Sequence, residues 1–276
     1  MTGASGALGS LLCGELVRGD FDVVASSRAA GITMDVLDVD AVFSTVATIR
    51  PDAIVHLAAV TGAVCDEDPA RAWAVNVDAT RRLAAAAVEV GVDQFFFASS
   101  AAVYGDRGAG RYRESDALLG TSTYAQTKIA AEEEIKSTTQ GTGTSACSFR
   151  IFNCWGPGFR SALPMRLAEK PKASPVRLAG LDDFVRDYVH ARDVAEVVGQ
   201  ALVVLGNDGP DSVNVASGVG TSNRQLVTGL GLREGDDFVV VDGVRSRSVG
   251  DADLLKSWLG YEARRRPMRN QPDLFS

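Results

Sequence analysis

A tyrosine and a lysine stand four residues apart in the chain, at Tyr124 and Lys128, some way after the serine Ser100. On a helix this spacing places the tyrosine and the lysine on one face. A phenol ordinarily loses its proton near pH ~10, and a neighbouring ammonium favours the phenolate. We therefore expect Lys128 to lower the pKa of Tyr124 and to make it a proton donor or acceptor near neutral pH. The alternative is a solvated helical face, so the pair needs support from the rest of the chain.

A glycine-rich turn opens the chain, with the sequence T-G-A-S-G-A-L-G at residues 2–9. Glycine lets the backbone approach a pyrophosphate, and the start of a helix offers free amides and the positive end of its dipole. The turn therefore predicts a dinucleotide site. In folds of this kind a strand precedes the turn, whereas here only Met1 does. Our hypothesis is that the native chain starts upstream and that its first strand is truncated in this sequence.

The next predicted strand ends in V-V-A-S-S-R, with Arg28 as the last residue of the motif. Sites for NAD usually carry an acidic side chain here for the ribose 2′-hydroxyl, whereas an arginine accommodates the 2′-phosphate of NADP. The acid is absent and Arg28 is present. The sequence therefore favours NADP(H), with NAD(H) as the other possibility and a solvated loop arginine as the plain interpretation of Arg28.

Short apolar segments alternate with amphipathic ones in the first part of the chain. We predict strands at residues 22–25, 53–57, 94–99 and 146–152, and helices at residues 8–18, 41–50, 69–90 and 124–137. Strands without a polar face are typical of a parallel sheet that helices cover on both sides. The alternation predicts an α/β fold with a doubly wound parallel sheet. We expect a cofactor-binding domain at residues 1–158 and a smaller C-terminal substrate lobe at residues 159–276, with residues 186–205 returning to the first domain.

The composition restricts the classes of partner. The chain of 276 residues has 28 Lys and Arg against 35 Asp and Glu, a net charge of −7. This balance argues against nucleic acid or an anionic membrane surface as the main partner. The chain has only two histidines, and its four cysteines lack C-x-x-C spacing, so we predict no metal site. No apolar run reaches the length of a membrane span, so we expect a cytoplasmic protein.

A series of short motifs follows the glycine-rich turn in a fixed order. They are D-V at 35–36, H-L-A-A at 56–59, N-V-D-A-T at 76–80, S-S-A-A-V-Y-G at 99–105, Y-A-Q-T-K at 124–128, R-I-F-N-C-W-G-P-G at 150–158, R-D-Y-V-H at 186–190 and N-V-A-S-G at 214–218. Over nearly its whole length the chain resembles the extended short-chain dehydrogenase/reductases, also called NAD(P)-dependent epimerase/dehydratases. The resemblance implies a Rossmann-type fold, a nucleotide-diphosphate sugar as substrate, and a homodimer formed through the helices at 69–90 and 124–137.

The resemblance also implies a role for each matching residue. Tyr124 would be the general acid or base, Lys128 would hold the nicotinamide ribose, and Ser100 would bind the reacting oxygen. The implied cofactor-binding residues are Gly3, Ser5, Gly6, Ala7, Leu8, Gly9, Arg28, Asp35, Val36, Leu57, Ala58, Ala59, Asn76, Tyr124 and Lys128. The implied substrate-binding residues are Ser100, Ala101, Asn153 and Arg186, the last two for the diphosphate. For Asn76 the alternative is a structural role, in which its side chain caps or bridges loops. We expect His56 to be a core histidine rather than a catalyst.

Departures from the family patterns narrow the reaction. Sugar-nucleotide 4,6-dehydratases typically carry an Asp-Glu pair where this chain has Ala101 and Ala102, and GDP-fucose epimerase-reductases carry a cysteine at the second position. Alanine can neither give nor take the proton of an elimination. Two reactions remain: reduction of a 4-keto-6-deoxy sugar nucleotide by NADPH, and C4 epimerisation with NAD. Arg28 and the segment D-P-A-R-A-W-A-V-N-V, similar to dTDP-4-dehydrorhamnose reductases, favour the reductase. A non-catalytic NADP(H) sensor is the third alternative.

Overall fold

The structure is a computed structural model, and it describes residues 1–27, 31–106, 108, 110–169, 174–204, 206, 209–243, 245–268 and 272–275. Arg28, which carries the sequence argument for NADP(H), lies outside the described residues. Strands and helices alternate through the first two thirds of the chain. Every helix in the described part of the chain is too short or too polar to cross a bilayer.

The strands are β1 (Ser26–Ser27), β2 (Ile32–Thr33), β3 (Ala53–His56), β4 (Gln94–Ser100), β5 (Ser145–Ile151), β6 (Cys154–Trp155), β7 (Val176–Ala179), β8 (Phe184–Asp187), β9 (Val189–His190), β10 (Ser212–Val215), β11 (Gly220–Ser222), β12 (Phe238–Val241) and β13 (Ser246–Ser248). The α-helices are α1 (Ala7–Arg18), α2 (Val39–Ile49), α3 (Val64–Glu67), α4 (Pro69–Trp73), α5 (Ala79–Val90), α6 (Thr123–Thr139), α7 (Leu163–Ala168), α8 (Ala191–Val204), α9 (Asn223–Gly229) and α10 (Asp253–Leu259). A π-helical turn (Ala74–Asp78) joins α4 to α5, and 3₁₀ turns occupy Ala101–Tyr104 and Pro272–Leu274.

The main sheet has the strand order β10-β5-β4-β3, and β1 pairs with β2 beside it. Thr2 connects the two groups, because it forms parallel bridges to both Ser26 and His56. Its amide donates to the carbonyl of Val55 at 3.0 Å, and the carbonyl of Met1 accepts from Ser26 at 2.8 Å. Met1 and Thr2 therefore lie between β1 and β3, where the first strand of such a sheet belongs.

The sheet is buried on both faces. Ile54, Phe95 and Phe97 point to the side where α2, α5 and α6 pack. Phe96 alternates to the opposite side and stacks on Phe149 of β5, with 5.5 Å between ring centroids. β3 and β4 pair in parallel. This arrangement confirms the predicted α/β fold with a doubly wound parallel sheet.

The predicted strand at residues 22–25 is wrong. Those residues form no strand ladder in the described part of the chain, and pairing begins only at Ser26. The apolar run is real, but a ladder needs a continuous partner strand, and residues 22–25 receive single hydrogen bonds from Met1 to Val24 and from Ile32 to Ala25. The predicted helix over residues 69–90 exists, but the π-helical turn interrupts it.

Two compact units make up the chain. Unit 1 consists of Met1–Gly105, Ala117–Arg150 and Ala195–Val213, and unit 2 of Asp106–Asp116, Ile151–Val194 and Asn214–Ser276. Unit 2 contains the small sheets β11-β8-β13, β12-β7 and β6-β9 and has its own apolar core around Trp155. The domain boundary at residue 158 that we expected from the sequence stays a prediction.

Candidate active site

The three predicted catalytic residues meet in unit 1. Ser100 ends β4, and Tyr124 and Lys128 lie in the first two turns of α6, which begins at the capping hydroxyl of Ser122. The Ser100 hydroxyl lies near the Tyr124 phenol and favours its ionised form. Lys128 is only 2% exposed, and its Nζ donates to the carbonyl oxygen of Ala98 at 2.7 Å. The same Nζ lies 5.9 Å from the centre of the Tyr124 ring. The strand end and the helix therefore bring a hydroxyl, a phenol and an amine together.

The pKa values of this group depend mainly on burial. Burial lowers the pKa of Lys128 to about 8, while the Glu132 carboxylate acts in the opposite direction. Burial also raises the pKa of Tyr124, and the nearby Ser100 hydroxyl opposes this only in part. The expectation that Lys128 lowers the pKa of Tyr124 is wrong for this structure. Loss of hydration dominates, and the lysine is bonded to the Ala98 carbonyl instead of the phenol.

A cavity of about 310 Å³ lies in unit 1 at the glycine-rich turn. Eight of the predicted cofactor-binding residues line it: Gly3, Ser5, Gly6, Asp35, Val36, Leu57, Ala58 and Ala59. Ala7, Leu8 and Gly9 belong to the first turn and a half of α1 and do not line the cavity. The cavity walls are thus the turn, the ends of β1 and β3, and the segment before α2.

The glycine-rich turn is packed so closely against the backbone that two of its glycines leave no room for a side chain. Gly3 has a φ of +69°, and a Cβ there would lie 2.6 Å from the backbone nitrogen of Ala58. A Cβ on Gly9 would lie 2.2 Å from the carbonyl oxygen of Gly3. Gly6 is the N-cap of α1 and offers no side-chain cap, so the first amides of α1 stay available for phosphate oxygens. The buried Ser26 hydroxyl lines the same cavity and has no hydrogen-bond partner among the described residues.

A buried hydrogen-bond chain starts at the glycine-rich turn. Thr80 donates to the carbonyl of Asn76 at 2.8 Å, so its oxygen accepts from Nε2 of His56 at 3.0 Å. Nδ1 of His56 then carries no proton and accepts from the Thr2 hydroxyl at 2.6 Å. The order of donors requires a neutral histidine with its proton on Nε2. His56 is therefore the satisfied core histidine that the sequence predicted.

Asn76 carries the chain onward to the helix of Tyr124. Its amide accepts from the Val60 nitrogen at 2.8 Å and donates to the Val60 carbonyl at 2.9 Å and to the Thr127 hydroxyl at 3.0 Å. Thr127 in turn donates to the carbonyl of Tyr124 at 2.8 Å. Asn76 is fully buried in the π-helical turn, and its amide is occupied by protein groups. This geometry supports the bridging alternative for Asn76 over a direct contact with the cofactor.

A second cavity, of about 400 Å³, lies in unit 2. Asn153 and Arg186, the residues predicted to bind a diphosphate, both line it, together with Arg166, Arg177 and Asn223. No carboxylate is present among its described lining residues. Three guanidinium groups and two amides without an acid make this cavity suited to an anion. Ala101, the remaining predicted substrate residue, lies in the 3₁₀ turn after Ser100 and lines neither cavity.

Neighbouring protein groups alone hold the side chain of Arg186 in place. Its guanidinium lies 3.8 Å from the centre of the Phe184 ring, and Nη2 donates to the Ser246 hydroxyl at 2.6 Å. Burial lowers the pKa of Arg186, which remains far above neutral pH for a guanidinium. The side chain is thus fixed and charged where it borders the cavity.

Asp187, next along β8, fastens the surrounding loops. Its carboxylate accepts from the backbone nitrogens of Ser217 and Gly218, both at 2.9 Å, and of Gly250 at 3.3 Å. Its carbonyl accepts from the Asn153 amide at 3.0 Å. Asp187 therefore positions Asn153 beside Arg186.

The family model described as "NAD dependent epimerase/dehydratase family" matches residues 1–216 of the chain. The chain belongs to the NAD-dependent epimerase/dehydratase family. It is 29% identical to the UDP-glucose 4-epimerase of Bacillus subtilis, across 96% of this chain and 92% of the relative. It is 26% identical to the GDP-6-deoxy-D-talose 4-dehydrogenase of Aggregatibacter actinomycetemcomitans, with the same coverage of 96% and 92%.

A solved structure of MoeE5 in complex with UDP-glucose and NAD superimposes with a TM-score of 0.87 and 27% identity, covering 99% of this chain and 95% of MoeE5. These similarities confirm the resemblance stated from the motifs. As a member of the epimerase/dehydratase family, the chain is an NAD(P)-dependent enzyme of the extended short-chain dehydrogenase/reductase group.

Sequence reasoning did not single out several residues that line the two cavities, among them Arg166, Arg177, Asn223 and Ser26. Arg166 of α7 and Arg177 of β7 line the anion cavity. Neither belongs to a recognisable sequence motif, so from the sequence each would be taken for a solvent-exposed arginine. Ser26 reads only as the residue after a strand, although its hydroxyl is buried in the cofactor cavity. A serine pair at the place where an acid is expected is the signal that could have drawn attention to it.

Acid should destabilise unit 1 through His56. Burial and the nearby Lys128 ammonium lower the pKa of His56 to about 3, whereas an unfolded histidine titrates near ~6.5. The unfolded state therefore binds the proton first, and stability falls as the pH decreases from about 6.5 towards 3. The loss is about 1.4 kcal/mol per pH unit, or about 2 kcal/mol at pH ~5. Urea unfolding at several pH values measures it. A His56→Gln variant should lose this part of the pH dependence, and an unchanged dependence would contradict the assignment.

Proposed function

We propose that the chain is a nucleotide-sugar 4-epimerase that uses a tightly held nicotinamide cofactor. The observation that carries the proposal is the grouping of Ser100, Tyr124 and Lys128 beside Ala101 and Ala102, which bring no further acid or base. Epimerisation at a carbinol carbon needs only one proton-transfer group on the protein. The bound cofactor would accept and return the hydride. The similarity to the UDP-glucose 4-epimerase of Bacillus subtilis supports this reaction over the reductase that the sequence favoured.

Each residue of the group has a distinct task in this proposal. Tyr124 exchanges the proton with the sugar hydroxyl: its ionised form takes the proton, and the phenol that results gives it back, next to Ser100 at the end of β4. Ser100 holds the reacting oxygen through its hydroxyl. Lys128, with a pKa of about 8, still carries its charge at neutral pH. The proposal places this charge, 5.9 Å from the centre of the Tyr124 ring, beside the phenolate during proton transfer, while burial sets the net pKa of the resting phenol.

The cavity of unit 2 supports a nucleotide sugar as the proposed substrate class. Arg166, Arg177 and Arg186 line it with Asn153 and Asn223 and suit a nucleoside diphosphate. MoeE5, similar to this chain over almost its full length, was solved with UDP-glucose. We therefore propose a UDP-linked hexose as the first substrate to test. A homodimer through α5 and α6 belongs to the same proposal.

A 4-ketoreductase is the second candidate. The similarity to the GDP-6-deoxy-D-talose 4-dehydrogenase supports net oxidation or reduction at the same carbon. β1 ends in Ser26 and Ser27, with no acid to bind a ribose 2′-hydroxyl, which leaves NADP(H) open as cofactor. The same Tyr124 would then act as a proton donor.

One experiment separates the candidates. The purified protein is analysed for nicotinamide that it retains and is then given UDP-glucose and, separately, a nucleotide 4-keto-6-deoxy sugar with NADPH. We expect retained NAD and a mixture of UDP-glucose and UDP-galactose without net change in the cofactor. NADPH consumption equal to the ketone reduced would overturn the epimerase in favour of the reductase. Binding of NADP(H) without either reaction would indicate the sensor.

A further inference from the structure

A buried carboxylate lies one helical turn beyond the catalytic lysine. Glu132 follows Lys128 by four residues on α6, and its side chain is 9% exposed. Arg150 of β5, with a side chain 7% exposed, meets it with two nitrogens: Nη2 at 2.7 Å and Nε at 3.1 Å from Oε2. The hydroxyl of Ser99 donates to the other carboxylate oxygen. Both carboxylate oxygens of Glu132 therefore accept hydrogen bonds from protein groups.

The same network reaches the turn that follows the catalytic strand. Nη1 of Arg150 donates to the Tyr104 hydroxyl at 3.1 Å, and its guanidinium lies 5.2 Å from the centre of that ring. Tyr104 ends the 3₁₀ turn Ala101–Tyr104, and Ser99 immediately precedes Ser100 on β4. The ion pair thus joins α6, β4, β5 and the turn at the point where Ser100 must face Tyr124.

The groups around Lys128 show where a compensating charge comes from. β3 presents His56, which its hydrogen bonds keep neutral, and α3 presents the Cys65 thiol, whose pKa burial raises. β4 presents the Ala98 carbonyl and the Phe97 ring, 4.4 Å from Nζ. On α6 itself, Tyr124 is protonated at neutral pH because burial raises its pKa. Among these described neighbours Glu132 supplies the negative charge, and it opposes the effect of burial on the pKa of Lys128.

We propose that Glu132 is a positioning residue for the active site: fixed by Arg150 and Ser99, it holds the end of β4 against α6 and supplies the counter-charge of the Lys128 ammonium. This inference rests on the proposed function for the roles of Ser100, Tyr124 and Lys128. A neutral side chain at position 132 would keep the shape of α6 but would leave Lys128 without its counter-charge.

The test compares Glu132→Gln with Glu133→Gln, which removes the same charge from the exposed neighbouring position. The ammonium of Lys128 is titrated by NMR in protein labelled with ¹⁵N-lysine, and the pH profile of kcat is measured for the epimerase reaction. In Glu132→Gln we expect both the Lys128 titration and the alkaline limb of kcat to move down by about one pH unit or more. In Glu133→Gln neither should move. An unshifted Lys128 titration in Glu132→Gln overturns the proposal.

A second variant separates this role from folding, because Glu132→Gln leaves Arg150 charged and buried. Glu132→Gln/Arg150→Met removes both charges together and should fold. If the ion pair served folding alone, this variant would titrate Lys128 as the wild type does, and that result would overturn the proposal. A downward shift in the double variant supports it. If the wild type turns over no sugar nucleotide while the Lys128 titration shifts as expected, the proposed function fails and the inference about Glu132 stands.

Discussion

Replacing Tyr124 with phenylalanine is expected to lower kcat by about 10²- to 10⁴-fold, the usual contribution of one positioned acid–base group. The substitution removes only the hydroxyl, and the ring keeps its place beside Lys128. Because the substitution removes one hydroxyl near Ser100 and no apolar contact, its loss should change the unfolding free energy by about 1 kcal/mol or less. Cofactor binding should also stay near the wild-type level, since Tyr124 does not line the cavity at the glycine-rich turn.

The same change at Tyr261 provides the control. Its hydroxyl donates to Asp193 at 2.8 Å in the interior of unit 2, in no contact with the cofactor or anion cavity. Tyr261→Phe should lower the unfolding free energy by about 1 kcal/mol and leave kcat unchanged. Steady-state kinetics, cofactor titration and urea unfolding of both variants give the comparison. If Tyr124→Phe kept kcat within a factor of two, Tyr124 would not be the residue at which the proton moves.

The sequence predicted the elements whose signals are local. The helices predicted at residues 41–50 and 124–137 appear as α2 and α6, with ends within two residues of the prediction, and Asp38 and Ser122 cap their N-termini. The strand at residues 22–25 failed because a ladder depends on a neighbour that is distant in sequence, which an apolar run does not specify. The π-helical turn that contains Asn76 was also invisible, since one extra residue in a turn barely disturbs the pattern of apolar residues.

The sequence predicted which residues form the candidate active site better than it predicted their pKa values. Spacing alone put Tyr124 and Lys128 on one face, and the structure adds Ser100 at the end of β4. The direction of the Tyr124 pKa could not be read from spacing, because it depends on how much water reaches the phenol. The Glu132–Arg150 pair was missed for a similar reason: its members lie on different elements, 18 residues apart, and either one alone reads as a surface charge.

Gly9 and Gly14 both lie in α1, and an alanine at each is expected to have opposite effects. A Cβ at Gly9 would lie 2.2 Å from the Gly3 carbonyl oxygen and 2.8 Å from the Ala4 Cα, both backbone atoms that cannot rotate away. The turn must then move off the helix, at a cost of about 2–3 kcal/mol or more in unfolding free energy. The displaced amides should weaken cofactor binding by at least roughly 100-fold, or about 2.7 kcal/mol.

At Gly14 the added Cβ would meet only the end of the Arg18 side chain, at 3.5 Å. Gly14→Ala should therefore raise the unfolding free energy by about 0.5–1 kcal/mol, as expected for alanine in a helix interior, with cofactor affinity unchanged. Urea unfolding and titration with NAD on both variants measure the difference. Wild-type affinity and stability in Gly9→Ala would show that the turn does not pack on α1 as the structure has it. The opposite signs matter, because both variants gain the same methyl group in the same helix and differ only in what that methyl group meets.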